Sequence, residues 1–422
     1  MTDVNTNTDA DTDANADVGV KVFIARQPIF DNKKNVYAYE LLYRSDLENR
    51  AFITNGDYAT LKVIANSLLI GLQKLTDGKK AFINFDRGLL LARVPLFFPS
   101  DILGVEILET ITPDQRLFKV CNQIKNDGYL MVLDNFVFQE EYQPLIPMVD
   151  IIKIDFCAST PEQRRSIFQK VSSKHVKFLA AKIESQQDYE EALKLGYHYF
   201  QGFFFQQPAL ISRKEMPGYK LNYLSILRKV YDPAFDVDQI EEIIKRDVSL
   251  TYKLLRFINS AAHGFKVTIR SIRHALILLG KREIKRWLTI IVMSGIGRDK
   301  PIELMNAAVI RARLCELIAL EFKLQDQPTD LFLIGMLSMM DAFLDRPLPE
   351  ILEELPLEEN IKSVLLEGEG QARNVLELVR AFEKADWESF ALFSHKLNLD
   401  EEKLAFLYLE AVEWAKSIST HD

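Results

Sequence analysis

Several short apolar stretches in the first half of the chain end on, or carry, a side chain suited to binding cations or phosphate. Glu40 sits in Tyr39-Glu40-Leu41-Leu42-Tyr43-Arg44, and Asn84 closes Ala81-Phe82-Ile83-Asn84. Glu106 follows Gly104-Val105, with Glu109 three residues on, and Asp134 closes Met131-Val132-Leu133-Asp134. Lys153 and Asp155 lie in Ile151-Ile152-Lys153-Ile154-Asp155, Glu184 closes Ala180-Ala181-Lys182-Ile183-Glu184, and Gln201 precedes Gly202. Glu, Asn, Glu and Asp are oxygen donors of the kind a hard divalent cation such as Mg²⁺ or Mn²⁺ takes in near-octahedral coordination, with substrate phosphate in its shell. A lysine among carboxylates can orient a water or offset phosphate charge. Any one of these residues alone is most simply an interior polar group satisfied by its neighbours. Their recurrence at matching places points to a metal or phosphate site.

The elements that must position them follow from periodicity. Strands are expected at Val22–Phe30, Val36–Arg44, Lys80–Asp86, Ile102–Glu109, Tyr129–Phe136, Asp150–Asp155, Lys177–Glu184 and Tyr199–Phe205. The first two flank Asp31-Asn32-Lys33-Lys34-Asn35, which suits a hairpin. Helical patterns at Asp57–Leu75, Asp114–Asp127, Thr160–Ser173 and Gln186–Leu195 separate the later strands, which implies a mostly parallel sheet. Eight strands permit closure into a modified (β/α)8 barrel opening on a hairpin, or an open doubly wound sheet. A barrel places functional side chains at the C-terminal ends of its strands, where the residues above fall.

After Pro208 the alternation stops. Residues 209–219, with Pro217 and Gly218, read as a linker. Beyond Leu221 the spacing predicts helices: Val237–Arg246, Leu250–Asn259, Ile269–Leu279, Lys281–Met293, Pro301–Glu321, Asp330–Phe343, Asn360–Leu366, Ala372–Lys384, Trp387–Lys396 and Asp400–Ile418. The expected organisation is a tail over 1–18, an α/β barrel over 19–212 and an all-helical domain over 213–422.

Composition bounds the rest. The 422 residues are 48% hydrophobic with a formal net charge of −8, which fits a packed soluble protein and not a basic nucleic-acid-coating one. No apolar run reaches the ~18 residues of a membrane span, and no secretory signal opens the chain, so a cytoplasmic location is expected. Residues 1–18 hold almost no large apolar side chain and are expected to be disordered. Their Asp9, Asp11, Asp13 spacing lacks the glycine and glutamate of a calcium loop, with Ala14 and Val20 at those positions. Cys121, Cys157 and Cys315 read as buried thiols.

Arg26-Gln27-Pro28-Ile29 and Tyr39-Glu40-Leu41-Leu42-Tyr43-Arg44, with Lys153-Ile154-Asp155 and Gln201-Gly202-Phe203-Phe204-Phe205 later, resemble EAL domains, the cyclic di-GMP phosphodiesterases. The resemblance runs over about 20–210 and implies a barrel fold. It implies that Glu40, Asn84, Glu106 and Asp134 are metal ligands for Mg²⁺ or Mn²⁺. It further implies that Lys153 helps activate the attacking water, with Asp155 and Glu184 as further acidic positions. Glu109 would steady the active-site loop, and Gln27, Arg44 and Gln201 would contact the dinucleotide.

The sequence departs from that pattern at two places. Asp134-Asn135 stands where the family has two aspartates, and Phe136-Val137-Phe138-Gln139 replaces a glycine-rich loop. Ala181 stands where the family has a catalytic glutamate, followed by Lys182. Losing one positioned acid–base group costs about 10²–10⁴ in rate. The expectation is therefore a degenerate barrel without appreciable turnover that acts through protein partners, with binding of one metal ion or of cyclic di-GMP as a further option. The alternative is an active phosphodiesterase producing linear pGpG.

Asp247-Val248-Ser249-Leu250, Leu254-Leu255-Arg256-Phe257-Ile258-Asn259-Ser260-Ala261 and Ser271-Ile272-Arg273-His274-Ala275-Leu276-Ile277-Leu278-Leu279-Gly280 resemble HDOD domains, relatives of the HD phosphohydrolases. The metal-binding His-Asp pair of an active HD enzyme would fall at Ser338-Met339. The resemblance therefore implies a non-catalytic module that binds a signalling partner, with homodimerisation as a further option, in bacterial pathways such as motility or biofilm formation. Asn259-Ser260 read as a helix cap, His263 and His274 as surface or packing residues, and Lys281-Arg282 with Lys285-Arg286 as a solvated helix face. The acidic run Glu350–Glu359 reads likewise.

Overall fold

The computed structural model describes residues 22–45, 72–171, 175–202, 217–232, 236–246, 250, 254, 271–324 and 328–419. The expected tail over 1–18, most of the expected helices Asp57–Leu75 and Leu250–Asn259, residues 209–216 of the linker, and Asn259, Ser260 and His263 lie outside them.

Strands β1 (Val22–Asp31) and β2 (Val36–Ser45) form the expected hairpin, with Gln27 opposite Glu40. The Asp31 carboxylate closes its turn by accepting from the backbone of Lys33 and Asn35. Strands β3 (Lys80–Phe85), β4 (Leu103–Ile107), β5 (Leu130–Leu133), β6 (Ile151–Asp155), β7 (Lys177–Ala181) and β8 (Tyr199–Phe200) follow in parallel, and β8 returns to β1 through Phe30 opposite Phe200. The sheet is a closed barrel, which settles the choice against an open sheet.

Alternation along each strand divides the core in two. Ile29, Ala38, Phe82, Val132, Ile151, Leu179, Ala181 and Tyr199 fill the barrel interior. Ala81, Val105, Met131, Leu133, Ile152, Ile154 and Ala180 face outward into a larger core shared with the helices. In β4 the interior position is Gly104, because the Phe82 ring already fills the space its Cβ would need, 2.5 Å away.

Helices α1 (Arg87–Leu91), α2 (Gln115–Asn126), α3 (Pro161–Lys170) and α4 (Gln186–Leu195) cover the barrel. Thr160 with Gln163, and Ser185 with Asp188, form reciprocal caps that start α3 and α4. The helical half comprises α5 (Gly218–Tyr231), α6 (Val237–Arg246), α7 (Ile272–Ile296), α8 (Ile302–Glu321), α9 (Pro328–Leu337) and α10 (Met340–Leu344). It continues with α11 (Leu348–Glu353), α12 (Glu359–Leu366), α13 (Gln371–Glu383), α14 (Trp387–Leu397) and α15 (Glu401–Ser419). Gly280, at φ 74°, breaks α7 where the sequence pattern also breaks.

Four expectations need correction. The helix read over Asp330–Phe343 is two, interrupted at Ser338, whose hydroxyl hydrogen-bonds the Gly335 carbonyl. Gly218 lies in α5 and not in a linker, because the apolar face of α5 buries Leu224, Leu227 and Val230. Arg286 is no part of a solvated face: its guanidinium stacks on Phe332 and Trp414 and pairs with Glu316. Cys157 is exposed, whereas Cys121 and Cys315 are buried as expected. His274 is exposed, and among the described residues no helix is long and apolar enough to cross a membrane.

Candidate functional site

On each strand, the inward position next toward the C-terminal mouth from the apolar interior layer carries the candidate site. From β1 to β5 these positions hold Gln27, Glu40, Asn84, Glu106 and Asp134, the last just past the end of β5. Lys153 on β6, Ala181 on β7 and Gln201 beside β8 complete the set. Seven of the eight are polar, and Ala181 is the apolar exception.

Lys153 is the centre. Its Nζ lies 2.8 Å from Glu40 Oε1, 3.2 Å from Asp134 Oδ1 and 3.4 Å from Glu106 Oε1. Gln201 Nε2 donates to Glu40 Oε2 at 2.6 Å and to Gln27 Oε1 at 3.3 Å, and Asn84 Nδ2 donates to Glu40 Oε1 at 3.4 Å. Glu40, Glu106, Asp134, Lys153 and Gln201 are all buried.

Burial and crowding set the protonation. Burial pushes the Glu106 carboxyl well above the ordinary glutamate value, and the Glu40 charge pushes it further. Burial also raises Asp134, against the opposing pull of Lys153. For Glu40, burial is outweighed by the Lys153 charge and by hydrogen bonds from Lys153 and Gln201, so its carboxyl stays below its usual value. Lys153 is desolvated, yet Glu106, Glu40 and Asp134 together hold it firmly protonated.

Glu40, Asp134 and Glu106 share a single ammonium, and Glu106 favours its protonated form among them. Glu106 Oε2 is buried and accepts no hydrogen bond, and Asp134 Oδ1 is buried against the Lys153 ammonium. With the Asn84 amide beside them, these are hard oxygen donors whose charge suits one divalent cation. In this conformation the Lys153 ammonium holds the carboxylates together, and among the described residues no group of three His, Cys, Asp or Glu side chains is arranged to hold a metal ion.

The other expected residues lie around this cluster. The Asp155 carboxylate accepts from the backbone of Cys157 and Ala158 and pairs with Lys182 Nζ at 2.7 Å. Ala181 sits opposite Asp155 across β6 and β7 and adds no donor. Asn135 follows Asp134 in the left-handed region at φ 45°. Glu109 is exposed past the end of β4, where its charge raises Asp134 and its carbonyl accepts from the Tyr142 hydroxyl. Glu184 is exposed beside Cys157. Arg44 lies on β2 opposite Phe23, with its side chain outside the described residues.

Sequence reasoning missed one group. Arg26 and Tyr39 point outward from β1 and β2 and meet Glu303 of α8, with the Tyr39 hydroxyl 3.0 Å from Glu303 Oε2 and Arg26 3.5 Å from Oε1. A contact spanning 264 residues leaves no local pattern to find.

Residues 216–362 match the HDOD domain. The chain is 37% identical over 408 residues to the Bacillus subtilis protein YuxH, covering 94% of this chain and 99% of that one. It is 34% identical over 402 residues to the Vibrio cholerae cyclic di-GMP phosphodiesterase CdgJ, covering 94% of this chain and 93% of that one. The chain belongs to this EAL–HDOD family. A crystal structure of an EAL domain protein from Listeria monocytogenes aligns at 18% identity and a TM-score of 0.35, covering 44% of this chain and 87% of that one. The EAL–HDOD organisation accounts for both halves: a closed eight-stranded barrel, then a helical region with the HDOD match.

Proposed function

We propose that the EAL barrel, residues 19–212, is a receptor for cyclic di-GMP together with one Mg²⁺ or Mn²⁺ ion, with little or no turnover. The HDOD domain, 213–422, would pass the bound state to a signalling partner in the cytoplasm. The observation that carries this reading is the mouth of the barrel, where every strand but β7 supplies a polar group and β7 supplies Ala181. Glu40, Asn84, Glu106 and Asp134 would hold the ion. When bound, it would offset phosphate charge. Lys153 stays protonated among the carboxylates and presents a fixed positive charge. Gln27 and Gln201 present amides at the side of the cluster for the dinucleotide. Opposite Asp155, where the family pattern places a glutamate, Ala181 can neither hold an ion nor take a proton.

A second reading, hydrolysis to pGpG, is favoured by the phosphodiesterase name of the Vibrio cholerae relative, which matches along almost its whole length. Equilibrium dialysis of the full chain with cyclic di-GMP and Mn²⁺, followed by chromatography, separates the two. Intact nucleotide concentrated with the protein supports the receptor. pGpG that accumulates, and stops accumulating in Asp134→Ala, supports the enzyme. Nucleotide that neither concentrates nor changes sinks both.

A further inference from the structure

β1 and β2 are joined by a tight turn with no helix between them, so something else must cover their outer face. The helical half does so: α13 and α15 pack on β1, and α8 brings Glu303 against both strands. Glu303 is 6% exposed. Its Oε2 accepts from the Tyr39 hydroxyl and from Asn306 Nδ2, each at 3.0 Å, and Arg26 closes on Oε1. Arg26 also stacks 4.6 Å over the Tyr39 ring and donates to the Leu75 carbonyl. A buried carboxylate with this many partners is held in one place, since each partner offsets its desolvation.

The residues that Glu303 grips are the immediate neighbours of site residues. Tyr39 precedes Glu40, and Arg26 precedes Gln27. Successive side chains on a strand point to opposite faces, so the outward pair and the inward pair share the same stretches of backbone. A cavity of about 60 Å³ is lined from both halves, by Gln27 and Gln201 of the barrel and by Glu303, Glu383 and Tyr408 of the helical half. Glu383 is itself bound by Arg311, which donates to Ser338, in the stretch where an HD enzyme would carry its metal pair. Glu40 is thus bonded to Gln201, which lines the same cavity as Glu303 and Glu383, and Glu383 is in turn bonded into the interior of the helical half.

We infer that Glu303 of the HDOD domain is a positioning residue for the barrel site, and that cyclic di-GMP binding and domain docking are linked through β1 and β2. This rests on the proposed nucleotide site. By linkage, whatever the ligand does to the docking, the docking does equally to the ligand.

The test uses the full chain. Glu303→Gln keeps the shape but removes the charge, and Tyr39→Phe removes only the hydroxyl. Equilibrium dialysis with cyclic di-GMP and Mn²⁺ should show nucleotide affinity reduced about tenfold in Glu303→Gln and about fivefold in Tyr39→Phe, within the usual range of coupling between sites. Leu352→Ala, buried in α11, should lower the melting temperature without changing affinity. In the wild type, nucleotide should slow amide exchange over residues 302–308, and Glu303→Gln should abolish that slowing. If Glu303→Gln fails to fold, Tyr39→Phe carries the test. Wild-type affinity in Tyr39→Phe, or an affinity loss in Leu352→Ala matching its loss of stability, overturns the inference while leaving the nucleotide site standing. A wild type that binds no nucleotide overturns the site and the inference together.

Discussion

Lys182 Nζ lies 2.7 Å from Asp155 Oδ2, and the Lys182 backbone reaches that position at φ 55°. A non-glycine residue in the left-handed region costs on the order of 1 kcal/mol, so the surrounding structure must hold it there. The ammonium is turned toward Asp155, and its proton is further held by the Asp155 and Asp134 charges. Lys182 thus brings a cationic charge to a part of the mouth where Ala181 brings nothing.

Lys182→Met keeps the backbone strain and removes the charge. Burial alone would raise the Asp155 carboxyl, but the hydrogen bond and charge of Lys182, together with the backbone N–H groups of Ala158 and Cys157, outweigh this and lower it. A carboxyl lowered on folding stabilises above its unfolded value of about 3.9, and that stability is lost as pH falls through the folded value. The Lys182 side chain is 62% exposed, so the expected loss in Lys182→Met is no more than about 1 kcal/mol at pH 7 and smaller at pH 3, below the unfolded value. Urea denaturation at the two pH values checks it. A gap of equal size at both would show that the ion pair is not its source.

The barrel was legible because its two signals are local. Strand alternation and turn residues such as Asp31 and Asn35 mark the elements, and the polar residues recur two positions beyond an apolar interior residue. Closure was legible through the strand count and the family resemblance but not through any local pattern, because the return of β8 to β1 joins residues 170 apart in sequence through Phe30 and Phe200. The helix break at Ser338 was hidden because large apolar side chains fill the stretch from Leu331 to Met340 except at Gly335 and Ser338, which leaves periodicity little to separate. Arg286 looked solvent-bound because its neighbours Arg282 and Lys285 carry the same charge. Only tertiary packing shows that Glu316, Phe332 and Trp414 surround it.

Gly104→Ala should destabilise the barrel by about 1–3 kcal/mol, the usual cost of overpacking, because the new methyl would meet the Phe82 ring at 2.5 Å. Phe82→Leu in the same chain should restore part of the loss, although Phe82→Leu alone also destabilises. Thermal denaturation of the two single variants and the double variant gives the coupling. Strict additivity would mean that Phe82 is not what excludes the methyl.

Restoring the family pattern should raise turnover. Ala181→Glu with Asn135→Asp returns two carboxylates next to Asp155 and Asp134. One recovered acid–base group is worth about 10²–10⁴ in rate, so pGpG formation with saturating Mn²⁺ should rise at least 100-fold. Chromatography of timed samples measures it. An unchanged rate in a folded double variant would place the defect elsewhere in the loop after Asp134.

Glu106 predicts how the cation and pH interact. Burial and the Glu40 charge raise its carboxyl, so the folded chain favours the protonated form. A raised carboxyl contributes stability that is fully present below its unfolded value, about 4.3, and is lost as pH rises through the folded value. With EDTA present, its contribution therefore diminishes as pH rises through the folded value. Mn²⁺ needs the carboxylate and competes with that proton, so it stabilises most where the proton is gone. The rise in melting temperature caused by Mn²⁺ should accordingly be larger at pH 8 than at pH 5. Glu106→Gln removes the titrating group and should flatten that difference along with most of the Mn²⁺ effect. Thermal denaturation of both proteins, with EDTA and with Mn²⁺ at each pH, measures this. A Mn²⁺ shift of the same size at pH 5 and pH 8 in the wild type would mean that Glu106 is not among the groups that hold the ion.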